Sequence, residues 1–210
     1  MLRGVSDLRR LAVAATDGNL GNVVDLCFDD RSWAVRYLVV DAGSWFPDRW
    51  VLISPISVRS WAPDPSILRG ALTKTQVKVS AEAHIPGEWP EKLPPPYALG
   101  HAIRDQARAG EEAHLQVATA AIGYAMRTED GTIGHVQDLL VDDKAWAIRY
   151  LLVDPTKRWA GKRVLVAPEW LTPVRWDESK TFFCIATADG DGPSHGGTRL
   201  GHVTSPRSFI

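Results

Sequence analysis

Residues 17–41 read DGNLGNVVDLCFDDRSWAVRYLVVD, and residues 130–154 read DGTIGHVQDLLVDDKAWAIRYLLVD. The second stretch repeats the first at a constant offset of 113 residues without a gap, and more than half of the positions are identical. The same offset carries Val51, Leu52 and Pro55 onto Val164, Leu165 and Pro168, so the repeat extends past the first block. A duplicated unit of roughly 70 to 80 residues, about the size of a small domain, is the reading this supports.

Within one unit the pattern is that of strands. Asp17-Gly18 and Asp130-Gly131 sit between short apolar runs, and Asp-Gly is a favoured pair for a two-residue hairpin loop with positive φ at both residues. Leu20–Phe28 is the next expected strand, followed by a turn at Asp29-Asp30-Arg31-Ser32. The run from Trp33 to Asp41 then follows, rich in β-branched and aromatic residues. Strict alternation places Trp33, Val35, Tyr37 and Val39 on one face and Ala34, Arg36, Leu38 and Val40 on the other. Pairing Phe28 with Trp33 puts Asp25 opposite Arg36, and the same register puts Asp138 opposite Arg149. Both couples then read as cross-strand ion pairs, each contributing about 0.2 to 1 kcal/mol if exposed. The competing reading is a polar site on the sheet. Gly21 and Gly134, inside strands, mark a bend, a bulge or a close backbone approach.

An offset larger than the unit requires intervening chain. Residues 84–113, HIPGEWPEKLPPPYALGHAIRDQARAGEEA, provide it: a proline-rich stretch, expected to be a semi-rigid spacer, then a short polar run. The expected organisation is a first unit over 1–83, this linker, a second unit over 114–187, and a flexible tail over 188–210 rich in glycine, serine and proline. The second unit lacks a counterpart to LTKTQVKVS (72–80), which leaves open how it is completed after Ala186. A strand from the linker, the tail or a second chain would serve.

The bulk numbers narrow the function classes. The chain has 210 residues, 45% apolar and 23% charged, with a formal net charge of -1 and a pI near 6.6. That composition is globular, and the absence of a basic surplus gives nonspecific nucleic-acid binding little electrostatic support. Cys27 and Cys184 form no CxxC or Cys/His spacing, so neither a disulfide framework nor a zinc site is indicated. The start, MLRGVSDLRR, is not of secretory type, and no run of about eighteen apolar residues provides a spanning helix. A cytoplasmic location is expected.

The run DG..G.V.D...DD..WA.RYLVVD, followed by a tryptophan-containing turn and VLISP, resembles the PRC-barrel domain. That module is shared by the photosynthetic reaction centre H subunit and a ribosome maturation factor. The resemblance covers roughly residues 3 to 80 and again 115 to 185. It implies an all-β chain of two small, strongly bent β-barrels used for assembly and contact, with no catalytic residue and no cofactor to carry over. The H subunit's membrane-spanning helix and the ribosomal factor's different N-terminal domain have no counterpart here, so neither specific role transfers directly.

The remaining chemical candidates are weak. The histidines at 84, 101, 114, 135, 195 and 202 show no metal-ligand spacing. The doubled carboxylates Asp29-Asp30 and Asp142-Asp143 suit a hard cation only if six or more oxygens gather there, and aspartate is a common turn residue in any case. No glycine-rich nucleotide motif is present. Aromatic residues after the long strand, Trp45, Phe46 and Trp50 in the first unit and Trp159 with Trp170 in the second, suit a contact surface. They equally suit plugs for barrel ends. The expectation is therefore a non-enzymatic protein-binding scaffold with an unidentified protein partner, its units packed as a pseudo-symmetric pair or through a homodimer. Two rivals are an RNA- or ribosome-associated accessory factor, drawing on Arg3, Arg9, Arg10, Arg59 and Arg69, and a peripheral membrane or photosynthetic-complex assembly protein.

Overall fold

The computed structural model describes residues 1–43, 45, 50–61, 66–77, 115–128, 131–155, 163–171, 182–184 and 201–202. The linker at 84–113, Phe46, Trp159 and nearly all of the tail lie outside them. The first unit runs β1 (Leu2–Gly4), α1 (Val5–Leu8), β2 (Ala12–Ala15), β3 (Gly18–Asp29), β4 (Val35–Asp41), β5 (Trp50–Ile53), a 3-10 turn at Pro55–Ser57, β6 (Val58–Trp61) and β7 (Ile67–Gly70). The second runs β8 (Leu115–Val117), α2 (Ala118–Ala121), β9 (Ala125–Thr128), β10 (Gly131–Asp142), β11 (Ala147–Pro155), β12 (Val164–Val166), a 3-10 turn at Pro168–Trp170, and β13 (Phe182–Cys184). A final strand, β14 (Gly201–His202), comes from the tail. The described chain is thus mostly β, and none of its helices is long and apolar enough to cross a membrane.

Two sheets form, each of seven described strands. One has the order β5-β4-β3-β2-β7-β6 with β8 added to β3, and the other has the order β13-β9-β10-β11-β12-β14 with β1 added to β10. Among the described strands neither path closes on itself into a barrel. β13 runs parallel to β9 as β7 runs parallel to β2, so the second unit finds its own equivalent of β7. β14 pairs with β12 through Val164 with His202 and Leu165 with Gly201.

The two sequence units exchange their leading strands. β1 pairs with β10, and β8 pairs with β3. Leu2 and Leu115, Ser6 and Thr119 stand at the same 113-residue offset as the main repeat, so the exchange is reciprocal about a pseudo-two-fold relation. Val5 and Leu8 of α1 are fully buried, as are Ala118 and Ala121 of α2, and all four join one apolar core with side chains of both sheets. Removing a valine or leucine of this kind from water contributes about 1.5 to 3 kcal/mol. Since every exchanged segment buries such residues on its neighbour, the copies are welded rather than merely tethered.

Three details of the local reading are corrected. The first hairpin loop is Thr16-Asp17, with Ala15 paired to Gly18, so only Gly18 takes positive φ, at 139°. The β3–β4 register pairs Phe28 with Val35 and Asp25 with Val39, not Phe28 with Trp33. It is shifted because bulges fall at Val24 and Arg36, and the second unit repeats them at Gln137 and Arg149. A bulged residue breaks the two-residue alternation. Val35, Leu38 and Val40 therefore join the main core, while Tyr37 and Val39 face the opposite side.

Candidate functional site

The bulge at Val24 decides where the following carboxylate points. Asp25 is 2% exposed and turns toward the end of the exchanged strand β8. It accepts the backbone N–H of Leu26 at 2.8 Å, the N–H of Thr119 at 3.3 Å, and the Thr119 hydroxyl. The second copy does the same in the opposite direction. Asp138, 8% exposed, accepts the N–H of Leu139 at 2.8 Å, the N–H of Ser6 at 3.2 Å and the Ser6 hydroxyl at 2.5 Å. Each carboxylate thus clamps the short helix that the other unit contributes. A buried carboxylate requires such donors, because without them its desolvation is uncompensated.

Burial still leaves its mark on the first clamp. Desolvation pushes the Asp25 carboxyl above its usual range, although the Thr119 hydroxyl, the Leu26 N–H and the Arg9 charge pull the other way. Arg9 itself donates to the Val24 carbonyl at 2.7 Å. Neighbouring Cys27 is fully buried, and desolvation together with the Asp25 charge pushes its thiol up, which favours the protonated form.

The doubled aspartates divide their work. Asp29 accepts from the N–H groups of Arg31 and Ser32 and from the Ser32 hydroxyl, closing its own turn. Partial burial opposes ionisation there, but these donors and Arg36 outweigh it and hold the carboxyl below its usual range. Asp142 is also held low, by the Lys144 N–H first and then by the Ala145 N–H, the N-terminal amine and Arg149. The second aspartate of each pair reaches the exchanged strand. Gln116 donates to Asp30 at 3.2 Å, and Arg3 and the Met1 amine donate to Asp143 at 3.1 and 2.6 Å.

The expected Asp25–Arg36 and Asp138–Arg149 ion pairs are therefore replaced. Arg36 lies 3.6 Å from Asp29 and Arg149 lies 3.9 Å from Asp142, both arginines half exposed. The bulges lengthen one strand against the other, which carries each arginine past the buried aspartate to the turn. Ser6 and Thr119, the actual partners, were missed in the sequence reading. Extending the 113-residue offset toward the N-terminus of each copy would have aligned these two hydroxyls.

Of the aromatic candidates, Trp45 is half buried against the core and donates its indole N–H to the Leu20 carbonyl at 2.6 Å, with the Lys74 ammonium 5.7 Å from its ring centroid. Trp50 is buried on the opposite face of the sheet, and Trp170 packs against the main core. Phe46 and Trp159 lie outside the described residues, as do His84, His101, His114 and His195. Exposed His135 sits on β10 opposite Asp154. Among the described residues no three histidine, cysteine or acidic side chains gather as a metal site. No protein-family model matches the chain, and no curated protein matches it.

Proposed function

We propose that this protein is a non-enzymatic, cytoplasmic scaffold built from two PRC-barrel-like units that binds a protein partner. The observation that carries the reading is the reciprocal clamp. Among the polar residues that both copies keep, Asp25 with Asp138 and the doubled aspartates of the turns hydrogen-bond the exchanged segments or their own turns. Their chemistry goes into joining the copies into one body, and such a body presents the β4–β5 and β11–β12 connections from fixed roots. Trp45 anchors the first of these connections to β3. The neighbouring Phe46 and, in the second copy, Trp159 are the contact residues on this reading, since aromatic side chains dominate interface energetics.

The test is recovery of the tagged chain from its native cells at modest salt, with mass spectrometry of what accompanies it. One protein partner, lost with Phe46→Ser and Trp159→Ser while both variants melt like the parent, is the expected result. Ribosomal material released by salt would overturn the scaffold reading in favour of an RNA-associated factor.

A further inference from the structure

The face of the first sheet turned away from the main core is apolar, and its centre is closed to water. Cys27 and Val39 are fully buried on it, Leu115 and Val117 are at most 3% exposed, and Trp50 is 9% exposed. Among the described residues, the apolar side chains grouped there come from β3, β4, β5, β8 and α2, which is one sheet face and a flanking single-turn helix. A sheet face excludes water to this degree only when something packs across it.

The duplication provides an internal control. At the equivalent positions around the second sheet, Val24 becomes exposed Gln137, Trp50 becomes exposed Arg163, and Ala120 becomes exposed Asp7 of the exchanged α1. Leu140 and Leu152, which replace Cys27 and Val39, are only partly buried. The same face of the same fold is thus apolar and more deeply buried in one copy, and in the other it carries three exposed polar side chains among partly buried apolar ones. The two faces also differ in chain connectivity. Residues 78–114 leave after buried Val77 and return at Leu115, which is itself part of the dry face. This stretch carries Ile85, Trp89, Leu93, Tyr97 and Leu99 among its prolines.

We infer that the outer face of the first sheet is the docking surface for this chain's own connector, residues 84–113, through its apolar side chains. On that arrangement the connector binds in cis and blocks the face to any second copy or outside partner.

Cys27 reports the cover directly. In a Cys184→Ser background it is the sole thiol, and its modification by a maleimide in the folded full-length chain is followed by mass spectrometry. The expected result is a slow, concentration-independent rate in the parent. Replacing Trp89, Leu93 and Tyr97 together by serine raises that rate by about tenfold or more, as a locally opened segment does, with the circular dichroism of the sheets kept. In parallel, Trp50→Arg, which imports the second unit's residue, speeds tryptic cleavage at Lys92 and Arg104. Cys27 staying inert in the folded triple-serine chain would overturn the assignment. So would protection that fades on dilution, which would mean that a second copy provides the cover.

Discussion

Ala34 and Ala147, the same position in the two repeats, face each other in an antiparallel bridge. On either side the Val35 N–H donates to the Trp146 carbonyl at 2.7 Å and the Ile148 N–H to the Trp33 carbonyl at 2.8 Å. These bonds are images of one another under the 113-residue offset, so the pseudo-two-fold relation passes between the two alanines. Trp33 and Trp146 bend the chain into this bridge with φ of 57° and 49°, a left-handed conformation that side chains rarely adopt.

That strain is measurable. Trp33 is 9% exposed and stacks on Phe28 with ring centroids 5.2 Å apart, so Trp33→Ala is expected to cost about 3 to 5 kcal/mol. Trp33→Gly removes the same ring but relieves the left-handed penalty, and is expected to be more stable than the alanine variant by about 1 kcal/mol. Urea titration of the two variants decides it; equal midpoints would contradict the strain.

The clamp predicts coupling between units. Asp25→Ala leaves the Leu26 and Thr119 donors without their carboxylate, a loss expected at about 1 to 3 kcal/mol. Thr119→Ala is expected to cost less, and the double variant less than the sum, because both changes remove one interaction. The same cycle on Asp138 and Ser6 should give coupling of the same sign. Additive losses in denaturant midpoints would show that the hydroxyls do not hold the exchanged helices.

Two aspartates predict opposite pH slopes. The folded-state value of Asp25 is raised, so between its ordinary value of 3.8 and the raised one the folded chain holds a proton that the unfolded chain has released. Stability from this group falls as pH rises through that window. Asp29 is lowered, so its contribution is present above 3.8 and is lost as pH falls toward its folded-state value. Urea midpoints should therefore show the parent's advantage over Asp25→Asn shrinking above pH 3.8, and its advantage over Asp29→Asn shrinking below it.

Glycine substitutions separate steric from conformational cost. A Cβ on Gly21 would stand 1.8 Å from the Asp41 carbonyl oxygen, and one on Gly134 would stand 2.1 Å from that of Asp154. Both neighbours are backbone, so Gly21→Ala and Gly134→Ala are expected to break the long hairpins and to be recovered poorly folded. Gly123, at φ 91°, has nothing within 4 Å of the added carbon. Gly123→Ala should cost only the backbone penalty of about 1 kcal/mol. Thermal melts of the three variants test the ranking.

Much of the architecture is a local property and was legible from the repeat. The strands on both sides of the Asp29 turn, their copies around Asp142, and the strands at Val51 and Val164 are where apolar, β-branched runs place them. The duplication itself and the mostly β character follow from residues 17–41 and 130–154 alone. The register did not follow, because a bulge costs little locally and leaves no sequence signal stronger than a polar residue such as Arg36 or Gln137 inside a strand. The partners of Asp25 and Asp138 were invisible for a related reason: Thr119 and Ser6 lie 94 and 132 residues away, on the other unit.

The sequence by itself determined that two copies of one β-rich unit exist, since periodicity and turn chemistry act over a few residues. Only the tertiary structure decided that each copy lends its first strand and helix to the other. That choice depends on which sheet can bury Val5, Leu8, Ala118 and Ala121 and which carboxylate can meet the Ser6 and Thr119 donors, and both are properties of surfaces assembled from distant parts of the chain.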